Sequence, residues 1–432
     1  MIRHARPLAA ALLLGVAAAP LSATDGHLLH GVGAVNSAMG GAGIAVHKSL
    51  LGTFYLNPAG LMAYDGTRME FGFELFRPDR TVASDIPGLG SGSTTSKSDF
   101  TPIPAMGLST RLKSDKVVVG IGALGIGGFG VDYPSSTSNP ILTPQPNGFG
   151  QVYSNYQLLK IMPAVAFAPT PKVWLGASLN VDWASLAVKP FPAAAPDVNT
   201  QNGTAYYPDA TAADGVFGWG FQLGAVVKPN DLVAIGLSYT SPQWFGEFEW
   251  NSTVANPTLP TAGTPRTFTF TLDVPAVYGL GLGINALPNL TLAADGRYIT
   301  YESTAGFAES GFNPDGSVAG FGWRNIFAVG AGLEYWPVEK VALRGGYNWS
   351  QNPITEEQAF FNVPAPAVVQ HHLTLGLGYK LARRLEISGA FYKAFENSVT
   401  GPIPNPALPP GSTVTNSLSE YAFLIGFTVG SR

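Results

Sequence analysis

The stretch GVGAVNSAMGGAGIAVHKSLLGTFYLNPAGLM, from Gly31 to Met62, decides how this chain is read. It is apolar and glycine-rich, yet its apolar residues follow neither the alternation of a strand nor the stripe of a helix. It closes on Asn57-Pro58-Ala59-Gly60-Leu61. Proline there fixes φ and drops a backbone donor, and asparagine can hydrogen-bond neighbouring backbone. The segment reads as a compact plug, which requires something around it. No nucleophile or base accompanies Asn57, Pro58 and Ala59, so their role is positional; taken alone they would make an ordinary turn.

What surrounds the plug is legible downstream. From Thr67 the chain runs in stretches of alternating polarity, separated by turn chemistry. The strand candidates are Thr67–Pro78, Thr101–Leu112, Val117–Gly127, Tyr153–Ala168, Val173–Val188, Val216–Val227, Leu232–Trp250 and Thr267–Ile284. They continue with Leu290–Glu302, Trp323–Trp336, Lys340–Trp349, Val368–Leu381, Arg384–Asn397 and Ser417–Gly430, which makes fourteen. Connections alternate between short turns, such as Pro169-Thr170-Pro171-Lys172, and long loops, such as Pro190–Gly215. An even number of strands with short turns on one side and long loops on the other is the signature of an all-β, up-and-down antiparallel transmembrane barrel. Pro104, Pro163 and Pro275 lie within strand candidates and should mark bulges or local breaks.

Composition agrees. Charged residues make up 12% of the 432, about half the share usual in soluble domains, and glycine (52) is abundant. Mean hydropathy is +0.16. Past the leader no apolar run reaches the ~18 residues that a helical span needs. The net charge of −4 and the lack of a basic run argue against a nucleic-acid partner. Cysteine is absent, which removes disulfides and thiol chemistry. Residues 1–23 carry Arg3 and Arg6, an apolar core and Leu21-Ser22-Ala23, the pattern of a secretory signal peptide.

Alternation also assigns the two faces of each strand. Tyr421, Phe423, Ile425, Phe427 and Val429 form one face and should meet lipid. The same parity puts Glu70, Glu74, Asp182, Asp295, Arg297, Glu334, Arg344 and Glu386 in the lumen. A cation there avoids the ~2–4 kcal/mol penalty of the lipid face at the midplane. Asp295 is available to pair with Arg297, and Glu334 with Arg344.

The Ala38-Met39-Gly40-Gly41-Ala42-Gly43 run and Asn57-Pro58-Ala59-Gly60-Leu61, set before amphipathic strands, resemble the N-terminal hatch of the FadL-type outer-membrane transporters of fatty acids and aromatic hydrocarbons. The resemblance implies three parts: a signal peptide over 1–23, a hatch over 24–66 and a transmembrane barrel over 67–432. It implies passive uptake of a hydrophobic small molecule, captured at extracellular loops, gated by the hatch and released sideways into the membrane. It further implies a monomer in the bacterial outer membrane that meets lipid, lipopolysaccharide and the barrel assembly machinery, with no cofactor. In that family the third strand kinks inward and opens a hole in the wall. Gly125, Gly127 and Gly128 are the residues here that would allow it, the alternative being that Gly127 and Gly128 merely begin a loose loop.

Other motifs are weaker. Gly120-Ile121-Gly122-Ala123-Leu124-Gly125 matches the dinucleotide fingerprint, but the helix that the fingerprint needs cannot follow in Ile126-Gly127-Gly128-Phe129-Gly130. His27 and His30 lack a third metal ligand, and the adjacent His371 and His372 point to opposite faces, so no metal site is expected. Phe191, Tyr206, Tyr207, Phe245 and Phe248 are the candidates for ligand capture on the long loops, whereas Trp244 and Trp250 suit an interfacial aromatic girdle. The rival functions are a general diffusion porin, which would need no plug, and a membrane-embedded lipid hydrolase, for which no Ser, His and acidic set stands out.

Overall fold

The computed structural model describes residues 25–211 and 215–430; the leader lies outside them. Among the described residues fourteen strands close into an antiparallel barrel. They are β1 (Thr67–Ile86), β2 (Thr101–Arg111), β3 (Val117–Tyr133), β4 (Val152–Thr170), β5 (Val173–Lys189), β6 (Val216–Val227) and β7 (Val233–Thr240). The circuit continues through β8 (Val277–Leu287), β9 (Leu290–Ile299), β10 (Ile326–Val338), β11 (Val341–Ser350), β12 (His371–Ala382), β13 (Leu385–Pro402) and β14 (Thr413–Gly430). Each strand pairs with its sequence neighbours, and β1 pairs with β14 from Arg68↔Gly430 to Asp85↔Thr413, so the sheet closes on itself. Closure matters because an open edge at membrane depth would leave backbone groups without partners.

The parity expectation holds. Phe423, Ile425, Phe427 and Val429 are exposed, as are Leu373, Leu375 and Leu377, whereas Glu70, Glu74, Asp182, Asp295, Arg297, Glu334 and Arg344 are buried in the lumen.

Two strand expectations fail. Leu232–Trp250 and Thr267–Ile284 are each broken, near Pro242 and Pro275, where a proline lacks the ladder donor. The pieces beyond the breaks, Phe248–Thr253 and Pro265–Phe270, pair with each other as a separate loop hairpin. The hairpin turns its aromatic rings inward. Trp250 stacks near Phe191 and Phe248 and donates its indole N–H to the Leu186 carbonyl at 3.2 Å, so it does not belong to an outer girdle. Trp244 is exposed beside Trp219, as a girdle residue should be.

The segment from Asp25 to Gly66 lies inside the barrel. It holds two short helices, α1 (Gly33–Ala38) and α2 (Leu50–Leu56), and a 3-10 turn over Pro58–Ala63. Helix α1 packs on β11–β14 and β1, α2 on β1–β3, and the 3-10 turn on β3–β6. Neither helix could stand alone, since isolated helices below ~12 residues are marginal in water. They are held by the wall.

Candidate functional site: a gap in the barrel wall

Several lumen charges anchor the plug, and others pair with one another across the wall. Asp295 on β9 accepts hydrogen bonds from the backbone N–H groups of Gly43 at 2.6 Å and Ile44 at 2.8 Å. Glu70 on β1 accepts from the Ser49 hydroxyl at 2.7 Å and the Leu50 N–H at 2.6 Å. Thr374 on β12 donates to the Ala38 carbonyl and accepts from the Gly40 N–H. The expected Asp295–Arg297 pair is therefore not formed. Arg297 instead meets Asp25 at 2.7 Å and donates to the His30 carbonyl, because the plug brings a countercharge to it. Arg344 does meet Glu334, at 2.8 Å, and also Glu386 at 2.8 Å, with Lys48 of the plug 3.1 Å from Glu334.

Asn57 explains its own position. Its side-chain oxygen accepts from the Ala59 N–H and caps the 3-10 turn, with Pro58 at the first position, where no donor is needed. Its amide nitrogen donates to the carbonyls of Ile44 in the plug, Ala225 on β6 and Leu237 on β7. Ala59 sits against Gly176 on β5 so closely that a Cβ there would lie 2.2 Å from the Ala59 nitrogen. A Cβ at Gly346 on β11 would likewise lie 2.2 Å from the Gly40 nitrogen. These sockets were missed in sequence. Their signal is glycine at lumen-facing parity, hidden by the abundance of glycine elsewhere.

Strand β3 carries the irregularity. It ladders with β2 from Arg111↔Val118 to Ala105↔Leu124, and there the pairing stops at Pro104. Beyond that point β2 pairs only with β1, and β3 runs on to Tyr133 paired only with β4. Between Gly125 and Gly127 the register with β4 shifts by one residue, which leaves Ile126 as a bulge, buried beside Leu28 and Tyr55. Gly128 has φ +150, a conformation that favours glycine. The segment is strand, not loop.

The edge that β3 loses to β2 is recovered from the plug. Leu29 donates its N–H to the Ile126 carbonyl at 3.0 Å, the Gly128 N–H donates to the His27 carbonyl at 3.0 Å, and Leu28 bridges Gly127. His27 is stacked on Phe307 and touches the Tyr301 hydroxyl, and burial pushes its imidazole down to about 3, so it stays neutral.

Beside this break lies a cavity of about 620 Å³. On the lumen side it is lined by Leu29, Arg80 and Glu420, and at the break by Ile103, Pro104 and Gly125. Along β4 it touches Tyr156 and Leu158, which face the lumen, and also Gln157 and Leu159, which face outward. Residues from both faces of β4 thus line a single space. An ordinary closed ladder could not provide it.

The aromatic loop candidates divide. Phe191 and Phe248 are buried in the hairpin cluster, and Phe245 packs over Gly218. Tyr206 lies in a short hairpin over Asp197–Tyr206. Tyr207 lines an apolar crevice on the long-loop side with Phe149, Pro190, Phe312 and Phe360. No group of three or more potential metal-ligating side chains occurs among the described residues.

The family model described as outer membrane protein transport protein (OMPP1/FadL/TodX) matches residues 15–432. The chain belongs to that family. The fold of this family member is similar to the crystal structure of a Pseudomonas aeruginosa FadL homologue, with a TM-score of 0.73 at 16% identity, covering 94% of this chain and 99% of that one. It is similar to the Pseudomonas putida toluene transporter TodX at a TM-score of 0.70 and 19% identity, covering 93% and 99%. The Ralstonia pickettii toluene transporter TbuX gives a TM-score of 0.66 and 20% identity, again covering 93% and 99%. No curated protein is matched by sequence. The FadL/TodX family member described here is thus an outer-membrane β-barrel of a transport family.

Proposed function

We propose that the protein is a passive uptake channel for hydrophobic molecules, which are captured at the long loops, held back by the plug and released sideways through the break between β2 and β3. The cavity beside the break carries this reading, because it gives an apolar molecule a route into lipid that never enters bulk water. The crevice at Tyr207 is the capture point, and Gly125, Gly127 and Gly128 form the exit. Asn57, Pro58 and Ala59 seat the gate. The protein would act as a monomer surrounded by lipid and lipopolysaccharide and inserted by the barrel assembly machinery. A general diffusion porin fits less well, since the plug is anchored to strands all round the lumen.

The test is a staple across the break. A Cβ built on Gly125 lies 3.9 Å from the Ile103 Cβ, within the ~3.5–4.5 Å that a disulfide spans, and the chain has no cysteine to interfere. Ile103→Cys with Gly125→Cys should lose uptake of labelled fatty acid or toluene when oxidised and regain it on reduction. Full uptake in the oxidised form would overturn lateral release and favour an exit through the short-turn end.

A further inference from the structure

The cavity lined by both faces of β4 is apolar at the break but not at its lumen end. Arg80 on β1 is 7% exposed and lines it, with no side-chain hydrogen bond to another described residue and no ion pair within 4 Å. Glu420 on β14 is 4% exposed and lines it too; one carboxyl oxygen has no hydrogen-bond partner, and the nearest basic group is the His372 ring at 3.8 Å. The register places Pro78 opposite Glu420 and Arg80 opposite Leu418, so the two side chains are diagonal neighbours on one lumen face. Glu74, the other carboxyl nearby, is different: the Tyr392 hydroxyl donates to it at 2.6 Å. Arg80 and Glu420, both nine-tenths buried and neither in a side-chain hydrogen bond to another described residue, therefore face the same space.

We infer that Arg80 and Glu420 form a polar-head subsite that selects amphiphiles with a single hydroxyl, long-chain alcohols or alkyl phenols, over plain hydrocarbons and carboxylates. This rests on the channel reading above. A hydroxyl accepts from the Arg80 guanidinium and donates to the Glu420 carboxyl, which satisfies both groups at once. A hydrocarbon desolvates both and pairs with neither; sites built to hydrogen-bond a hydroxyl reject analogues that lack it. A carboxylate gains the guanidinium but brings a second negative charge against Glu420. The apolar tail then extends past Ile103 and Pro104 toward the lipid side.

The experiment measures binding of labelled dodecane, 1-dodecanol and dodecanoate to the full-length protein in lipid nanodiscs, after subtracting empty nanodiscs. The wild type should prefer the alcohol to the alkane by about ten- to a hundredfold, as expected of hydrogen bonds to charged groups. Arg80→Met should collapse that preference, and Glu420→Gln should raise dodecanoate relative to the alcohol. Ratios are taken within each variant, so a change in folded fraction cancels. Equal affinities in the wild type, or ratios that neither variant moves, would overturn the subsite while leaving the channel reading to the disulfide staple. If no ligand binds above empty nanodiscs, both fall.

Discussion

Asp295 offers the sharpest test of how the plug is held. Its carboxylate accepts two short backbone hydrogen bonds, from Gly43 and Ile44. Hydrogen bonds to charged groups contribute about 1.5–3 kcal/mol each, and removing the acceptor leaves two buried N–H groups unsatisfied. Part of this is offset, because the buried carboxylate is itself costly to desolvate. A net loss of about 3 kcal/mol for Asp295→Ala corresponds to roughly a hundredfold rise in the population with the plug displaced, at 1.4 kcal/mol per factor of ten. Asp295→Asn keeps one acceptor oxygen and should fall between. The readout is single-channel ion conductance in planar bilayers, with the heat-resistant electrophoretic mobility of the barrel checked in parallel. Conductance should rise from wild type to Asn to Ala. Wild-type conductance in a folded Asp295→Ala protein would refute the reasoning and place the plug's anchorage elsewhere.

Deleting residues 24–62 should leave a folded but leaky barrel, seen as steady conductance, because the wall is held mainly by strand pairing. Gly176→Val should also leak, since its Cβ meets the Ala59 backbone, whereas Gly389→Ala, whose Cβ would meet nothing closer than 3.9 Å, should leave conductance unchanged. Arg344→Met strips both Glu334 and Glu386 of the guanidinium between them and should lower thermal stability by about 3–5 kcal/mol. Adding Glu386→Gln should recover only part of the loss in a melting experiment, because Glu334 stays buried without the guanidinium.

Much of the architecture was legible because a barrel writes its two environments into alternate residues. Phe423 to Val429 and Leu373 to Leu377 declared the lipid side, and Glu70 or Arg344 declared the lumen. Alternation is blind to partners, however. Nothing near Asp295 and Arg297 in sequence indicates that one takes the plug backbone and the other takes Asp25, some 270 residues away. It also ran Leu232–Trp250 on as one strand, since the hairpin rings that leave the wall keep the same period as those that stay. The register shift falls between Gly125 and Gly127. That Pro104 ends the ladder on the facing strand, and that His27 to Leu29 fill the vacated edge, follows only from register. Valine at Gly127 and Gly128 would not straighten the strand: the new Cβ atoms would meet the His27 and Tyr156 carbonyls and displace backbone on both sides.

The pairing of β1 with β14 sets a constraint on how the molecule is made. Its partners, such as Arg68 and Gly430, stand at opposite ends of the strand series, so the last ladder to form has the longest loop to close. Contacts of such sequence separation form slowly. Until they do, two long strands present bare edges that invite pairing with other chains. The plug precedes β1 and touches strands from both ends of the series, β1 and β14 among them, through α1. A nascent wall can therefore gather around a small apolar nucleus already tethered to its first strand, and mutations that loosen the gate would be felt first in assembly yield.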